Sequence, residues 1–442
     1  MGKAKLSFFG LGYVGTVYST GFASKGFKVT GFDTDKDKLK MLDKGAPPIH
    51  EPGLEELMRE CKAKGTLRIT DNPDDAVSNS DITFITVGTP SKEDGSIDLK
   101  HVVEASNTIG GALKGKGAWH LIVVKSTVTP GTTEKIVRRT VEKASGKKTP
   151  EDYGLAVNPE FLREGSAIED FMKPDRIIIG ANDEKSRKML EEIYSEFDCP
   201  KILTNPKTAE LIKYVNNAFL AMKVSFINMI ANLCQEIPGC DVDVVARGIG
   251  LDRRIGEQFL RAGAGWGGSC LPKDLKALKN FSRKIGVNLP LVEATLKIND
   301  KQPLTMIKLT KKKIGNLKNR RVAVLGLSFK PDTDDMREAV SIKIVNKLID
   351  EGAEVTVYDP AAMKNAKKIF QEKVIYAPST IECLKDAECA LIVTEWSEFK
   401  ELTPEDFIEH MKNPVVIDGR RIFNPETYAS KLEFEAIGLR AE

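Results

Sequence analysis

Short, nearly unbroken apolar runs recur through the first 200 residues, at 6–9, 28–32, 82–87, 121–124 and 177–180. Runs of this length without polar alternation are expected of strands buried on both faces of a parallel sheet. Helical patterns lie between them, so the segment is expected to consist of βαβ units in a doubly wound α/β fold. From residue 208 to 236 there is neither Gly nor Pro. Leu211, Val215, Phe219, Met222, Phe226, Ile230 and Leu233 recur there at three- and four-residue steps. That spacing predicts one long amphipathic helix, whose apolar stripe is a candidate seam for a homodimer. The strand pattern returns at 321–325, 355–358, 390–394 and 415–418, as in a second, smaller α/β domain. The divisions expected are 1–204, 205–315 and 316–442.

Composition narrows the function classes. A chain of 442 residues has room for two or three complete cores. A net charge of only +3 gives no electrostatic case for a nucleic-acid partner. The seven cysteines are odd in number and form no C-x-x-C pair, a pattern expected of reduced thiols in the cytoplasm. The four histidines are scattered, so no metal site is expected. The N-terminus enters a strand at once, without a signal-peptide pattern, and no apolar run reaches membrane-spanning length; no membrane partner is expected. Lys311-Lys312-Lys313 is read as a solvated helix end.

Gly10-Leu11-Gly12-Tyr13-Val14-Gly15 follows the first strand directly, and a helical stretch follows it. The first glycine makes the turn, the second admits a pyrophosphate, and the third lets helix and strand pack closely. The phosphates would rest on the helix N-terminus. Asp33 ends the second strand, where it can accept from a ribose 2′-OH and would repel a 2′-phosphate, so NAD is expected over NADP. Lys38 is placed either near the adenosine ribose or in solvent. In the third segment, Gly326-Leu327-Ser328-Phe329-Lys330 has one glycine instead of three. Lys330 there suits a phosphate or a sugar, and Asp359, followed by Pro360, reads as a turn former. That domain is expected to bind a nucleotide without being a second NAD site. Together the segments predict two Rossmann-like doubly wound domains joined by a central long helix and a helical dimerisation region.

A third motif carries the chemistry. Cys270 closes the run Gly265-Trp266-Gly267-Gly268-Ser269, and Leu271-Pro272-Lys273-Asp274 follows. Pro272 suits the first turn of a helix, which places Cys270 near a helix N-terminus. The partial positive charge there, with Lys273 one turn on, favours a thiolate. Asp274 adds a carboxylate that could hold a water or take a proton. A nucleophile fits this setting. A structural cysteine after a Gly-rich turn is the plainer alternative.

Taken with Asn158-Pro159-Glu160-Phe161-Leu162-Arg163-Glu164-Gly165, these motifs resemble the UDP-glucose/GDP-mannose dehydrogenase family. Gly88-Thr89-Pro90, Lys125-Ser126-Thr127-Val128, the stretch 213–217, Phe329-Lys330 and Asp418-Gly419-Arg420-Arg421 extend the resemblance, in order, over nearly the whole chain. It implies an N-terminal NAD domain, a central dimerisation region and a C-terminal nucleotide-binding domain. It also implies oxidation of a nucleotide-sugar C6 alcohol to a carboxylate with two NAD⁺. Cys270 would form the thiohemiacetal and thioester, Lys213 would stabilise the oxyanion, and Asn217 would bind the sugar or the same oxyanion. Asp274 and Thr127 would position a water, and Glu160 would serve acid–base chemistry. Glu164 is implied near the nicotinamide, Arg337 near the pyrophosphate, and Lys273 beside the thiolate or the phosphates. Gly10, Gly12, Tyr13, Val14, Gly15, Asp33, Lys38, Gly88 and Thr89 complete the cofactor set. Phe161, Leu162, Phe259, Gly267, Phe329, Lys330 and Arg420 are implied at the substrate, and Arg254 at the substrate of a neighbouring subunit.

Ser269 and the Pro-Lys-Asp after Cys270 resemble the branches that oxidise UDP-glucose or GDP-mannose, rather than those acting on N-acetylated sugars. Residues 252–256 and 259–263 are closer to the UDP-glucose branch, so UDP-glucose is the expected substrate. Trp266 stands where many members carry Phe, which adds bulk and an N–H beside the loop. Two other classes stay open. A non-catalytic nucleotide-binding sensor would not need Cys270, Lys213, Asp274 and Thr127 together. A two-electron hydroxyacid dehydrogenase would need neither the thiol nor the third domain.

Overall fold

The structure is a computed structural model that describes residues 2–440. The chain divides into two compact units, Met1–Asn216 with Lys276–Phe281, and Asn217–Leu275 with Ser282–Glu442.

The first unit is built on an eight-stranded sheet. Its strands are β1 (Leu6–Phe9), β2 (Val29–Phe32), β3 (Leu67–Thr70), β4 (Ile82–Ile85), β5 (His120–Val124), β6 (Tyr153–Val157), β7 (Ile177–Ala181) and β8 (Lys201–Thr204). Their order is β3-β2-β1-β4-β5-β6-β7-β8, and the β6–β7 pair is the antiparallel one. Register is direct: Leu6 pairs with Val29 on one side and Ile82 on the other. Alternate residues serve two cores. Phe8 and Phe84 stack at 4.8 Å on one face, while Phe9 and Ile85 pack on the other. This double burial is why β1 and β4 contain unbroken apolar runs.

The second unit has a six-stranded parallel sheet of β9 (Arg321–Leu325), β10 (Glu354–Tyr358), β11 (Ile375–Tyr376), β12 (Cys389–Ile392), β13 (Val415–Asp418) and β14 (Glu433–Ala436). The order is β11-β10-β9-β12-β13-β14. Both sheets therefore contain the same doubly wound arrangement, with the first strand central and the order reversing beside it.

Five strands lay outside the apolar-run reading: β3, β6, β8, β11 and β14. β3 and β8 have exposed or half-buried residues, as does the two-residue β11, so their apolar signal is broken. β6 is fully buried, but Gly154 interrupts its apolar run. There a Cβ would meet Ser186 and Trp119 at 2.2 and 2.5 Å.

The long helix spans Pro206–Cys234. Contrary to the expectation from sequence, it is long and apolar enough, by length and composition, to cross a membrane. Its polar residues are engaged within the fold: Lys213 with Glu160, Asn217 with Asp274, and Asn228 with the Gly263 N–H. From the predicted stripe, Leu211, Val215, Phe219, Phe226 and Leu233 lie exposed. Lys311–Lys313 end the helix Pro303–Ile314 and pair with Glu351, Glu435 and Glu433.

Candidate active site

In the first unit, β1 and β4 flank the point where strand order reverses, and the glycine fingerprint starts there. Gly10 has φ +99°, and a Cβ on it would lie 2.8 Å from Val87 Cγ1. A Cβ on Gly15 would come within 1.9 Å of the Gly10 carbonyl oxygen. These two glycines are required by the protein's own packing. Gly12 differs, because a Cβ there would meet nothing within 4 Å. It is also the N-cap of the helix Tyr13–Ser24, and no side chain caps that helix. The helix therefore begins with backbone N–H groups uncapped by protein side chains, next to open space, as an anion requires. Gly88 is equally open, and Thr89 Oγ1 donates to the Thr127 carbonyl at 3.0 Å.

Asp33 is buried at the end of β2. One carboxylate oxygen accepts from Leu11 N at 2.7 Å and Lys38 Nζ at 2.9 Å; the other accepts from Asp35 N at 3.0 Å. Burial alone would raise its pKa, but these donors hold it below the usual carboxylate value. Lys38 is thus paired with Asp33. Open glycine, uncapped helix and buried anion together fit a dinucleotide with an unmodified ribose.

The loop after β6 carries Glu160 and Glu164. It is irregular rather than helical, so the two do not decorate a helix. Glu160 Oε1 accepts from Lys213 Nζ at 2.9 Å, both buried, and Oε2 accepts from Leu162 N at 2.7 Å. Burial pushes the Glu160 carboxyl up, but the Lys213 ammonium and the N–H outweigh it and its pKa is lowered. Two cations lie near the Phe161 ring, Arg176 3.8 Å and Lys213 5.4 Å from its centre.

Beneath this loop is a residue that the sequence quoted in a motif without a role. Lys125 is fully buried, donates to Asn158 O and Oδ1 at 3.1 and 2.7 Å, and sits 3.7 Å over the Tyr18 ring. Burial drives its pKa well below the usual lysine value, with Glu160 opposing and Lys213 adding to the shift. Glu210 and Glu51 were also missed. Glu210 accepts from Gly131 N and Thr133 N at 2.5 and 2.9 Å, just past Thr127. Neither glutamate belongs to a motif with a spacing rule, and their partners are 38 to 116 residues away.

In the second unit, Cys270 is exposed and is the N-cap residue of the helix Leu271–Lys284, with Pro272 in the first turn. Asp274 is buried one turn on. It accepts from Asn217 Nδ2 and from Lys273 Nζ, each at 2.6 Å. Lys273 therefore also engages Asp274, a partner beyond the thiolate and phosphates expected of it.

The glycines of the loop are each accounted for. Gly268 has φ +88°, and a Cβ there would lie 2.7 Å from the Phe329 ring. A Cβ on Gly267 would lie 2.3 Å from the Glu338 carbonyl. Gly268 N donates to Arg337 O at 2.9 Å. Arg420 is half-buried and donates to Val393 O at 2.6 Å and Gly265 O at 3.0 Å, so it braces the same loop; desolvation lowers its pKa.

Trp266 is buried against Ala221 and Leu275, and its Nε1 donates to Ser225 Oγ at 2.9 Å. Its extra bulk and N–H serve this core. Arg254 and Arg337 are exposed and make bidentate pairs with Asp252 and Asp335. Phe259 is partly exposed at φ +63°, a strained backbone for a bulky residue. Lys330 Nζ lies 5.7 Å from the Phe329 ring centre.

Family models match the chain in three consecutive stretches. Residues 4–198 match the NAD binding domain of the UDP-glucose/GDP-mannose dehydrogenase family, 207–301 its central domain, and 323–425 its UDP binding domain. The UDP-glucose 6-dehydrogenase AglM of Haloferax volcanii is 43% identical over 98% of this chain and 100% of its own length. The UDP-glucose 6-dehydrogenase TuaD of Bacillus subtilis is 42% identical, covering 98% and 93%. Among solved structures, a UDP-glucose dehydrogenase from Pyrobaculum islandicum superposes with a TM-score of 0.92 at 41% identity, covering 99% of this chain and 98% of that one. A UDP-D-ManNAc dehydrogenase from Pyrococcus horikoshii reaches 0.87 at 28% identity, covering 98% and 99%.

Proposed function

The chain belongs to the UDP-glucose/GDP-mannose dehydrogenase family, NAD-dependent enzymes acting on nucleotide sugars, and from that premise we propose that it oxidises UDP-glucose to UDP-glucuronate. The observation that carries this reading is an exposed cysteine at a helix N-terminus, one turn before a buried Asp274 held by Asn217 and Lys273. Residues 1–204 serve as the NAD domain, 205–315 as the dimerisation region, and 316–442 as the UDP domain.

Gly10, Gly12, Tyr13, Val14, Gly15, Asp33, Lys38, Gly88, Thr89, Thr127, Glu164 and Arg337 hold the cofactor. When bound there, NAD⁺ would supply the hydride acceptor for each of two oxidations. In the first, a water held by Thr127 and Asp274 takes the hydroxyl proton as the alcohol becomes an aldehyde. The Cys270 thiolate then adds to the aldehyde carbon, and a C–S bond forms as the carbonyl electron pair moves to oxygen. Lys213 and Asn217 stabilise that oxyanion. Loss of the second hydride leaves a thioester on Cys270. A water attacks it, the C–S bond breaks with its electrons returning to sulfur, and a carboxylate remains. Glu160 moves protons at the reacting carbon. Phe161, Leu162, Phe259, Gly267, Phe329, Lys330 and Arg420 bind the sugar nucleotide, and Lys273 helps hold the Cys270 thiolate or the phosphates.

The exposed stripe on Pro206–Cys234 supports a homodimer, in which Arg254 would reach the substrate of the other copy. The thiol pattern supports a cytoplasmic location. The test is a panel of UDP- and GDP-sugars with NAD⁺, counting NADH per sugar. Two NADH per UDP-glucose is the expected result. A ratio of one, or oxidation confined to GDP-mannose or N-acetylated sugars, would overturn it.

A further inference from the structure

Glu51 lies outside every motif, yet its buried carboxylate is fully engaged. It sits in the turn His50-Glu51-Pro52-Gly53, just before the helix Leu54–Ala63. One oxygen accepts from the Tyr13 hydroxyl and from Gly165 N, the latter at 2.7 Å. The other accepts from Ala167 N at 2.7 Å. Tyr13, within the glycine fingerprint, is the first residue of the helix, so its side chain anchors the start of the helix on which a pyrophosphate would rest. Gly165 and Ala167 close the loop that carries Glu160 and Glu164. A single carboxylate therefore joins two segments more than 150 residues apart in the chain, one on the cofactor side and one on the substrate side.

We propose that Glu51 is a positioning residue that fixes the fingerprint helix and the Glu160–Glu164 loop in one geometry, so that cofactor affinity and sugar recognition depend on the same carboxylate. The Tyr13 hydroxyl is suited to this link, because burial and the facing Glu51 and Glu164 carboxylates keep it protonated and donating. A charge-assisted hydrogen bond from a phenol is among the stronger contacts a neutral side chain can make. The inference rests on the reading of Glu160 as a substrate-side residue, but its cofactor half does not.

The decisive variant is Tyr13→Phe, which removes one oxygen and leaves the ring and the fold in place. NADH binding, followed by nicotinamide fluorescence without sugar, is expected to weaken about tenfold, and KM for UDP-glucose to rise severalfold. Glu51→Gln keeps one acceptor but sets an amide N–H₂ against a donor, so it is expected to weaken NADH binding at least as much. The double variant should be no worse than Glu51→Gln alone, because both changes cut one link. NADH affinity within twofold of wild type in Tyr13→Phe, or additive losses in the double variant, would overturn the proposal. A wild-type protein that binds NADH yet leaves UDP-glucose unoxidised would break the substrate reading, while the NADH comparison would still decide the cofactor half.

Discussion

The two sheets start with nearly the same backbone device and use it for opposite ends. In the first, Gly10 N donates to Phe32 O at 2.9 Å, and Leu11 N donates to Asp33 Oδ2 at 2.7 Å. In the second, Gly326 N donates to Tyr358 O at 2.9 Å, and Leu327 N donates to Asp359 Oδ2 at 2.7 Å. Both first glycines have a φ near +100° and would clash with the next strand's end if given a Cβ. The difference begins two residues on. Gly12 faces open space, whereas Ser328 turns inward and its N–H and hydroxyl both donate to Asp359 Oδ2. Trp396 Nε1 adds another donor to that oxygen, while Ala361 N and Ala362 N take the other. Asp359 is saturated by its own protein and Asp33 is not. A shared fold thus carries a cofactor crevice in one place and a structural hub in the other, decided by a glycine, a serine and a tryptophan.

If this contrast is right, chemistry in the second unit rests on the cysteine loop and not on its sheet. The largest expected effect follows from Cys270→Ala: uronate formation should fall by about 10³-fold or more, with NADH affinity unchanged. Stopped-flow NADH release and uronate assay check it, and wild-type turnover would break the covalent step. The two aspartates should then behave oppositely. Asp359→Ala leaves several buried donors without an acceptor, so urea unfolding should show a loss of about 3–5 kcal/mol with NADH affinity intact. Asp33→Ala should weaken NADH about tenfold or more. Equal effects of the two on NADH binding would dissolve the comparison.

The first unit also carries a pH handle in Glu210. Burial pushes its pKa from 4.5 up to about 7, against the pull of Thr133 and Gly131. Between those values the folded chain keeps a proton that the unfolded chain has released. The contribution to stability is therefore full below about 4.5 and is lost as pH rises through about 7. Its size is on the order of 3 kcal/mol. Urea midpoints at pH 5 and 8 should differ less in Glu210→Gln than in wild type, and an equal difference would count against this. The smallest effects are expected at the glycine that separates the two sheets. Gly12→Ala should change stability by about 1 kcal/mol or less, because only ligand space is filled, while NADH affinity drops about tenfold. Ser328→Gly should create no second NADH site, and titration to two per chain would refute the hub reading.

Much was legible in the chain because it is local. β1, β9 and β13 are short stretches buried on both faces, so their composition alone marks them. The fingerprint is a run of six residues whose spacing follows from backbone sterics, and Asp33 comes at a fixed distance after it. The 29-residue helix is written in its period, although its ends and its apolar content were not. The cysteine loop could be read as reactive from its neighbours, but the Lys273–Asp274 ion pair at 2.6 Å could not.

What tertiary structure alone decided are the partnerships across distance. The sequence by itself determined two doubly wound sheets, an NAD fingerprint and an ordered set of family motifs, since each is a pattern within a few turns or strands. Only the folded chain shows that Glu51 joins Tyr13 to Gly165, that Lys125 lies buried against Asn158, and that Trp266 belongs to a core. These residues have no spacing signature, because a buried carboxylate or ammonium is specified by which donors or acceptors converge on it. That convergence is set by how strands and loops stack, over separations that no local period encodes.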